Sequence, residues 1–177
     1  MKPARTLCFI GDSLIEYYDW QARFPSHAVI NLGIAGETAP ELLARLSLLG
    51  DRLRPADWIL IMTGTNDLLT GAEDFLPSYE QIIRRLRQAL PDALLVASGL
   101  MPMSLPWLAP NLIFQVNDRL EGLALRHKIG YLDGCCLGTD SRPRPSCFLE
   151  DGVHLNQQGY TLWSAAIENH LRLTGCM

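Results

Sequence analysis

The sequence predicts an α/β fold built on a parallel sheet. Short runs that are apolar on both faces alternate with amphipathic segments of helical period, and polar clusters close several of those runs. Strands without a polar face suit a sheet covered on both sides, and their alternation with helices gives βα units with right-handed crossovers.

The strand-like runs are Thr6–Ile10, Ala28–Leu32, Trp58–Thr63 (WILIMT), Ala93–Ser98 (ALLVAS) and the shorter Ile129–Leu132. Between them, Pro40–Leu49 sets Leu42, Leu43, Leu46 and Leu49 at helical spacing. Thr38 and Glu41 ahead of it form a capping box, with Pro40 tolerated in the first turn. Phe75–Leu90 carries Tyr79, Ile82, Ile83, Leu86 and Leu90 on one face. Asn111–His127 repeats the pattern with Leu112, Val116, Leu120, Leu123 and Ala124, and Gln157–Leu173 closes the chain with Tyr160, Trp163, Ile167 and Leu171. Two stretches read as irregular: Met101–Pro110 after the fourth strand and Gly134–Gly152 after the fifth. Ligands of open α/β sheets bind beyond the carboxyl ends of the strands, so both belong to the functional edge.

The chain has 177 residues, a length that suits one domain, and no repeat or linker divides it. The net charge is −4 and no basic patch interleaves with aromatics, which argues against a nucleic-acid partner. No apolar run approaches the ~20 residues of a membrane span, and the apolar stretch Leu7–Ile10 is too short for a signal peptide, so the expected compartment is the cytoplasm. The odd cysteine count implies reduced thiols: Cys8 in a strand, with Cys135, Cys136, Cys147 and Cys176 inert. No His/Cys spacing suits zinc, and neither a metal nor another cofactor is expected.

Four polar clusters carry the candidate chemistry: Gly11-Asp12-Ser13, Gly33-Ile34-Ala35-Gly36, Gly64-Thr65-Asn66-Asp67 and Asp151-Gly152-Val153-His154. Each has an ordinary structural reading. Ser13 with Glu16 fits the capping pattern S-x-x-E, the glycines make turns, Asn66 and Asp67 cap the next helix, and Asn156 caps the last one. Together they form a set suited to acyl transfer. A serine hydroxyl needs a base to remove its proton, the base needs an orienting acid, and a tetrahedral intermediate needs donors aimed at its oxyanion. A serine at a strand-to-helix turn, a histidine with an acid three residues earlier, a glycine N–H and an asparagine amide supply each part. The elbow G-x-S-x-G does not fit, because Ile15 stands at the second glycine position, and no Walker motif or G-x-G-x-x-G follows the first strand.

With FIGDSL, NLGIAGET, GTND and DGVHLN in that order, the chain resembles the SGNH hydrolases, also called the GDSL esterases and lipases, from about Leu7 to His170. The resemblance implies a three-layer α/β/α, flavodoxin-like fold with a five-stranded parallel sheet. It implies Ser13 as nucleophile, His154 as general base and then acid, and Asp151 as the group that orients the imidazole. The oxyanion hole would be the N–H groups of Ser13 and Gly36 with the Asn66 amide, Gly33 being the nearby rival to Gly36, and Asp12 would be structural.

The implied substrate is a small-molecule carboxylic ester or thioester. Met101, Met103 and Trp107 in the loop after the fourth strand are candidates for an acyl or aryl pocket, or else for packing on the core. Tyr17, Tyr18 and Trp20 divide between core and substrate contact, and His27, His127 and His170 read as surface or packing residues. Rival readings are a non-catalytic module that binds a small ligand and a phosphate-binding protein that uses the Gly11–Ser13 loop. The complete set of Ser13, Asn66, Asp151 and His154 argues against the binding module, since binding alone requires neither a base nor its orienter.

Overall fold

The computed structural model describes residues 5–177 except 104, 106, 110, 135–137, 140 and 141, and only the backbone of 138, 139, 142 and 143. Its centre is an all-parallel sheet of five strands in the order β2-β1-β3-β4-β5. The strands are β1 (Thr6–Gly11), β2 (Ala28–Gly33), β3 (Trp58–Met62), β4 (Leu94–Ser98) and β5 (Gly130–Leu132). The chain starts in the interior, steps out to β2, then crosses back over β1 to β3. That reversal is the switch point of a flavodoxin-like sheet, where a crevice opens at the carboxyl ends of the strands.

The helices are α1 (Ser13–Glu16), α2 (Trp20–Arg23), α3 (Ala39–Arg45), α4 (Gly50–Leu53), α5 (Thr65–Leu69), α6 (Leu76–Ala89), α7 (Leu112–His127) and α8 (Gln157–Leu173). On one face of the sheet α3 packs on α6, and α6 on α7. On the other, α2 meets α8 through the edge-to-face rings of Trp20 and Trp163, 5.2 Å between centroids, and through the Arg23–Glu168 ion pair. The result is the expected three-layer α/β/α arrangement.

The apolar runs in Thr6–Gly11 and Trp58–Met62 are neighbouring interior strands, and β3, at the centre, is buried along its full length. Phe9 stacks on Trp20 at 4.2 Å and meets Trp58 edge-on at 5.8 Å, joining β1 to the layer of α2 and α8. β2 differs: Ala28 and Asn31 are exposed because it is a sheet edge. Leu46 and Leu49 stay buried, but the helix expected over Pro40–Leu49 ends at Arg45 and tightens into a 3-10 turn at Leu46–Leu48. Three residues per turn put Leu46 and Leu49 on one face and turn Leu48 outward. The stretch expected to be irregular after β5 holds a short antiparallel ribbon, β6 (Gly138–Thr139) with β7 (Arg142–Pro143), and a 3-10 turn at Pro145–Cys147.

Cys8, Cys147 and Cys176 are buried free thiols, whereas Cys135 and Cys136 lie outside the described residues. Among the described residues no helix is long and apolar enough to cross a membrane.

Gly64 governs the turn between β3 and α5. Its φ is +119°, and a Cβ there would sit 2.4 Å from the Phe75 ring. Gly64→Ala is therefore expected to destabilise the fold by about 1–3 kcal/mol from backbone strain alone. In a chain of this length that lowers the melting temperature by roughly 2–4 °C per kcal/mol, readable by circular dichroism.

Candidate active site

Ser13 stands where β1 turns into α1. Asp12, not Ser13, is the N-cap of that helix: its Oδ1 accepts from the Leu14 N–H at 3.0 Å. Ser13 is thus the first helical residue, and its own N–H has no acceptor among the described residues. One turn of helix carries little macrodipole, so the useful feature is that free N–H. Glu16 does not complete a capping box either. Its carboxylate crosses to the loop after β2 and accepts from the Ala35 N–H at 2.6 Å.

Three side chains hold this turn by taking its carbonyls. Tyr160 donates its hydroxyl to Leu14 O at 3.1 Å, and Trp20 and Asn31 donate to Ile15 O at 2.8 and 3.0 Å. Gly33 allows the turn to lie directly on β2, since a Cβ there would meet the Glu16 backbone nitrogen at 2.3 Å.

His154 arrives from the loop before α8. Leu149 N–H donates to His154 O at 2.8 Å, and Asn156 N–H donates to Cys147 O at 3.1 Å, closing the neck of that loop. Asn156 also caps α8, accepting from the Gln158 and Gly159 N–H groups as the sequence predicts. The His154 Nε2 lies 3.0 Å from Ser13 Oγ, and its Nδ1 lies 2.7 Å from Asp151 Oδ2. The other Asp151 oxygen accepts from the N–H groups of Val153 and His154, both at 2.9 Å. Burial works against the charged form of Asp151, but the Val153 N–H, the His154 ring and the His154 N–H outweigh it and hold the carboxyl below its ordinary value. A carboxylate can only accept, so Nδ1 carries the proton and Nε2 presents its lone pair to the serine hydroxyl. Tyr17, 59% exposed, covers one side with its ring 5.6 Å from that of His154.

Asn66 and Gly36 come to the same edge from α5 and the loop after β2. The Asn66 Nδ2 donates to Glu37 O at 3.0 Å, which uses one of its two hydrogens. Gly36 is exposed, with φ +79° and an N–H free of any acceptor among the described residues. Gly33 gives its own N–H to Asn31 Oδ1 at 3.0 Å, so of the two glycines only Gly36 has a donor to spare. Asp67 does not cap α5. It reaches across to cap α3, accepting from the Ala39 N–H at 2.9 Å, and thereby ties α5 to the loop that carries Gly36.

The other residues singled out in the sequence take up these places. Met101 and Met103 are buried in the hydrophobic core, the packing alternative, so they offer no free wall to a ligand, whereas Trp107 is 70% exposed. Trp20 is core as well, whereas Tyr18 stacks on Tyr160 at 4.5 Å. His127 meets Glu80 at 2.8 Å across α6 and α7, and His170 packs beside Trp58. Among the described residues no group of His, Cys, Asp or Glu is arranged to hold a metal ion.

Asp12 lies fully buried beside Ser13, and its Oδ2 meets no well-formed hydrogen bond. Burial pushes this carboxyl from its ordinary 3.8 up to about 7, against the opposing pull of the Leu14 N–H and of Thr65. The folded protein therefore holds a proton on Asp12 that the unfolded chain has already released between those two values. Stability linked to Asp12 is present in full below about pH 4 and lost as pH rises to about 7. Asp12→Asn, which cannot ionise, should gain stability relative to the parent as pH rises from 4 to 7 and hold that gain above, by urea denaturation.

Residues 9–162 of the chain match the family described as the GDSL-like Lipase/Acylhydrolase family. The platelet-activating factor acetylhydrolase IB subunit alpha2 of Rattus norvegicus is 31% identical over 122 residues, 65% of this chain and 51% of that protein. The chain thus spans about half the length of that relative. The alpha1 subunit from Rattus norvegicus is 29% identical over 170 residues, 86% of this chain and 69% of that protein. A GDSL-like lipase structure from Bacteroides thetaiotaomicron shares the fold with a TM-score of 0.80 at 22% identity, over 96% of this chain and 89% of that one.

Proposed function

The chain belongs to the GDSL-like lipase/acylhydrolase family, and from that premise we propose that it is a serine esterase that hydrolyses small carboxylic esters or thioesters through an acyl-enzyme on Ser13. The observation that carries this reading is the continuous relay from Ser13 Oγ through His154 to Asp151, at 3.0 and 2.7 Å.

His154 Nε2 takes the hydroxyl proton as Ser13 Oγ bonds to the ester carbon. Asp151 holds the tautomer that leaves Nε2 unprotonated and stabilises the imidazolium that forms. The carbonyl oxygen becomes an oxyanion, for which the free N–H groups of Ser13 and Gly36 and the second Asn66 hydrogen are the donors at hand. When the intermediate collapses, the carbon–leaving-group bond breaks and the imidazolium returns its proton to the departing alcohol or thiol. A water molecule, deprotonated by the same imidazole, then attacks the acyl carbon, and the acid leaves as Ser13 recovers its proton. No step needs a metal or an organic cofactor. The relatives named as acetylhydrolases favour a short acyl group, and the exposed rings of Tyr17 and Trp107 are candidate contacts for an acyl or aryl part.

Purified protein is expected to hydrolyse p-nitrophenyl acetate. Ser13→Ala and His154→Ala should each remove most of that activity and the double variant little more, because the two groups act as a unit. Additive losses, or a Ser13→Ala variant as active as its parent, would contradict the assignment and favour a ligand-binding module.

Asn66→Ala should lower kcat on the order of 10²-fold if the amide donates to the oxyanion.

A further inference from the structure

The most deeply buried ion pair among the described residues adjoins the loop that carries Gly36 and takes no part in the relay. Arg45, the last residue of α3, grips Glu37 with both arms of its guanidinium: Nε to Oε1 at 2.5 Å and Nη2 to Oε2 at 2.7 Å. The side chains are only 16% and 6% exposed. The same Nη2 also donates to Leu32 O, on β2, at 2.9 Å. Arg45 therefore spans the loop that carries Gly36, holding the strand before it and the residue after it.

Gly36 itself is the open point of that loop. A Cβ built on Gly36 would meet nothing within 4 Å, so no side chain crowds the loop on that side. The loop is held on the strand side by Ile34 N–H on Gly11 O at 2.9 Å and by the Glu16 carboxylate on Ala35 N–H, at its end by a turn from Glu37 N–H to Ile34 O at 3.2 Å and by the α5 contacts of Asn66 and Asp67, and across its span by the Arg45 clamp. The clamp reaches the second donor too, because Glu37 O is the acceptor that orients the Asn66 amide. A two-pronged, charge-assisted contact fixes both position and angle, which a single hydrogen bond does not.

We propose that Arg45 is a positioning residue that, through Glu37, aims both the Gly36 N–H and the Asn66 amide at the developing oxyanion. The role rests on the esterase reading above. In this role Arg45 acts through Glu37, and its effect belongs to the transition state, where donors displaced by a fraction of an ångström lose much of their effect.

Removing one partner alone would leave a buried charge without its counterpart and endanger the fold. The test therefore uses the paired change Arg45→Met with Glu37→Gln, which removes both charges, and Arg45→Lys, which keeps the charge but not the fork. Each is compared with the parent and with Ser13→Ala for kcat and KM on p-nitrophenyl acetate, for melting temperature, and for affinity toward phenylboronic acid, which forms a tetrahedral adduct on a serine. The expected result for the paired variant is a kcat lower by about 10- to 100-fold, a KM within about threefold of the parent, and boronic-acid affinity falling in parallel with kcat; Arg45→Lys should lie between. A folded paired variant with the parent's kcat, or a loss that only follows the fraction of folded protein, overturns the proposal while Ser13→Ala remains inactive. Should Ser13→Ala prove as active as the parent, the esterase reading falls and this role falls with it.

Discussion

The hydrogen bond between Ser13 Oγ and His154 Nε2, 3.0 Å long, joins residues 141 positions apart, and much of the architecture serves to make it possible. Ser13 is delivered by the interior strand β1, His154 by a loop whose far end is locked to α8. The two meet because Tyr160 on α8 donates to the Leu14 carbonyl inside the Ser13 turn, and because Trp20 and Trp163 pack α2 against α8. The contacts that stabilise this face of the sheet are thus the contacts that set the serine-to-imidazole distance.

Electrostatics divides the acidic groups of the site by environment. Asp151 is half exposed and collects two backbone N–H groups and an imidazole, so it stays ionised. Asp12, one residue from Ser13, is sealed from water and pushed up to about 7. A negative charge held there would lie beside the place where the proposed oxyanion forms, and burial opposes that charge. Glu37, also buried, keeps Arg45 on its carboxylate. The donors proposed for the oxyanion remain the Ser13 and Gly36 N–H groups and the second Asn66 hydrogen.

The parts of this molecule that were legible in the sequence are those governed by local rules. Strands β1 and β3 showed in their unbroken apolar runs because their faces are both covered, and the long helices α6, α7 and α8 showed in their periodicity. The four motif clusters lie at one sheet edge because each closes a strand or leads into a helix there. Side chains whose partners are distant were not legible. Glu16 fits a capping box yet reaches Ala35, and Asp67 fits a cap for its own helix yet caps α3, 28 residues away. Met101 and Met103 follow a strand but turn inward, a choice set by packing that composition does not encode. Arg45 belongs with these, since its partner Glu37 lies in the loop before α3. Its place next to Leu46, on the apolar side of α3, together with an acid in the preceding glycine-rich loop, is the signal that could have marked the pair.

Ser13 as a nucleophile activated by His154 is the centre of this account, and covalent capture tests it most directly. The protein would be treated with a p-nitrophenyl phosphonate ester, whose phosphorus accepts an activated serine oxygen and releases nitrophenol, and the modified residue located by peptide mass spectrometry. A single adduct on the peptide carrying Ser13, forming far more slowly in His154→Ala, is the predicted result. No adduct on the folded protein, or an adduct elsewhere that accounts for the loss of esterase activity, would contradict it.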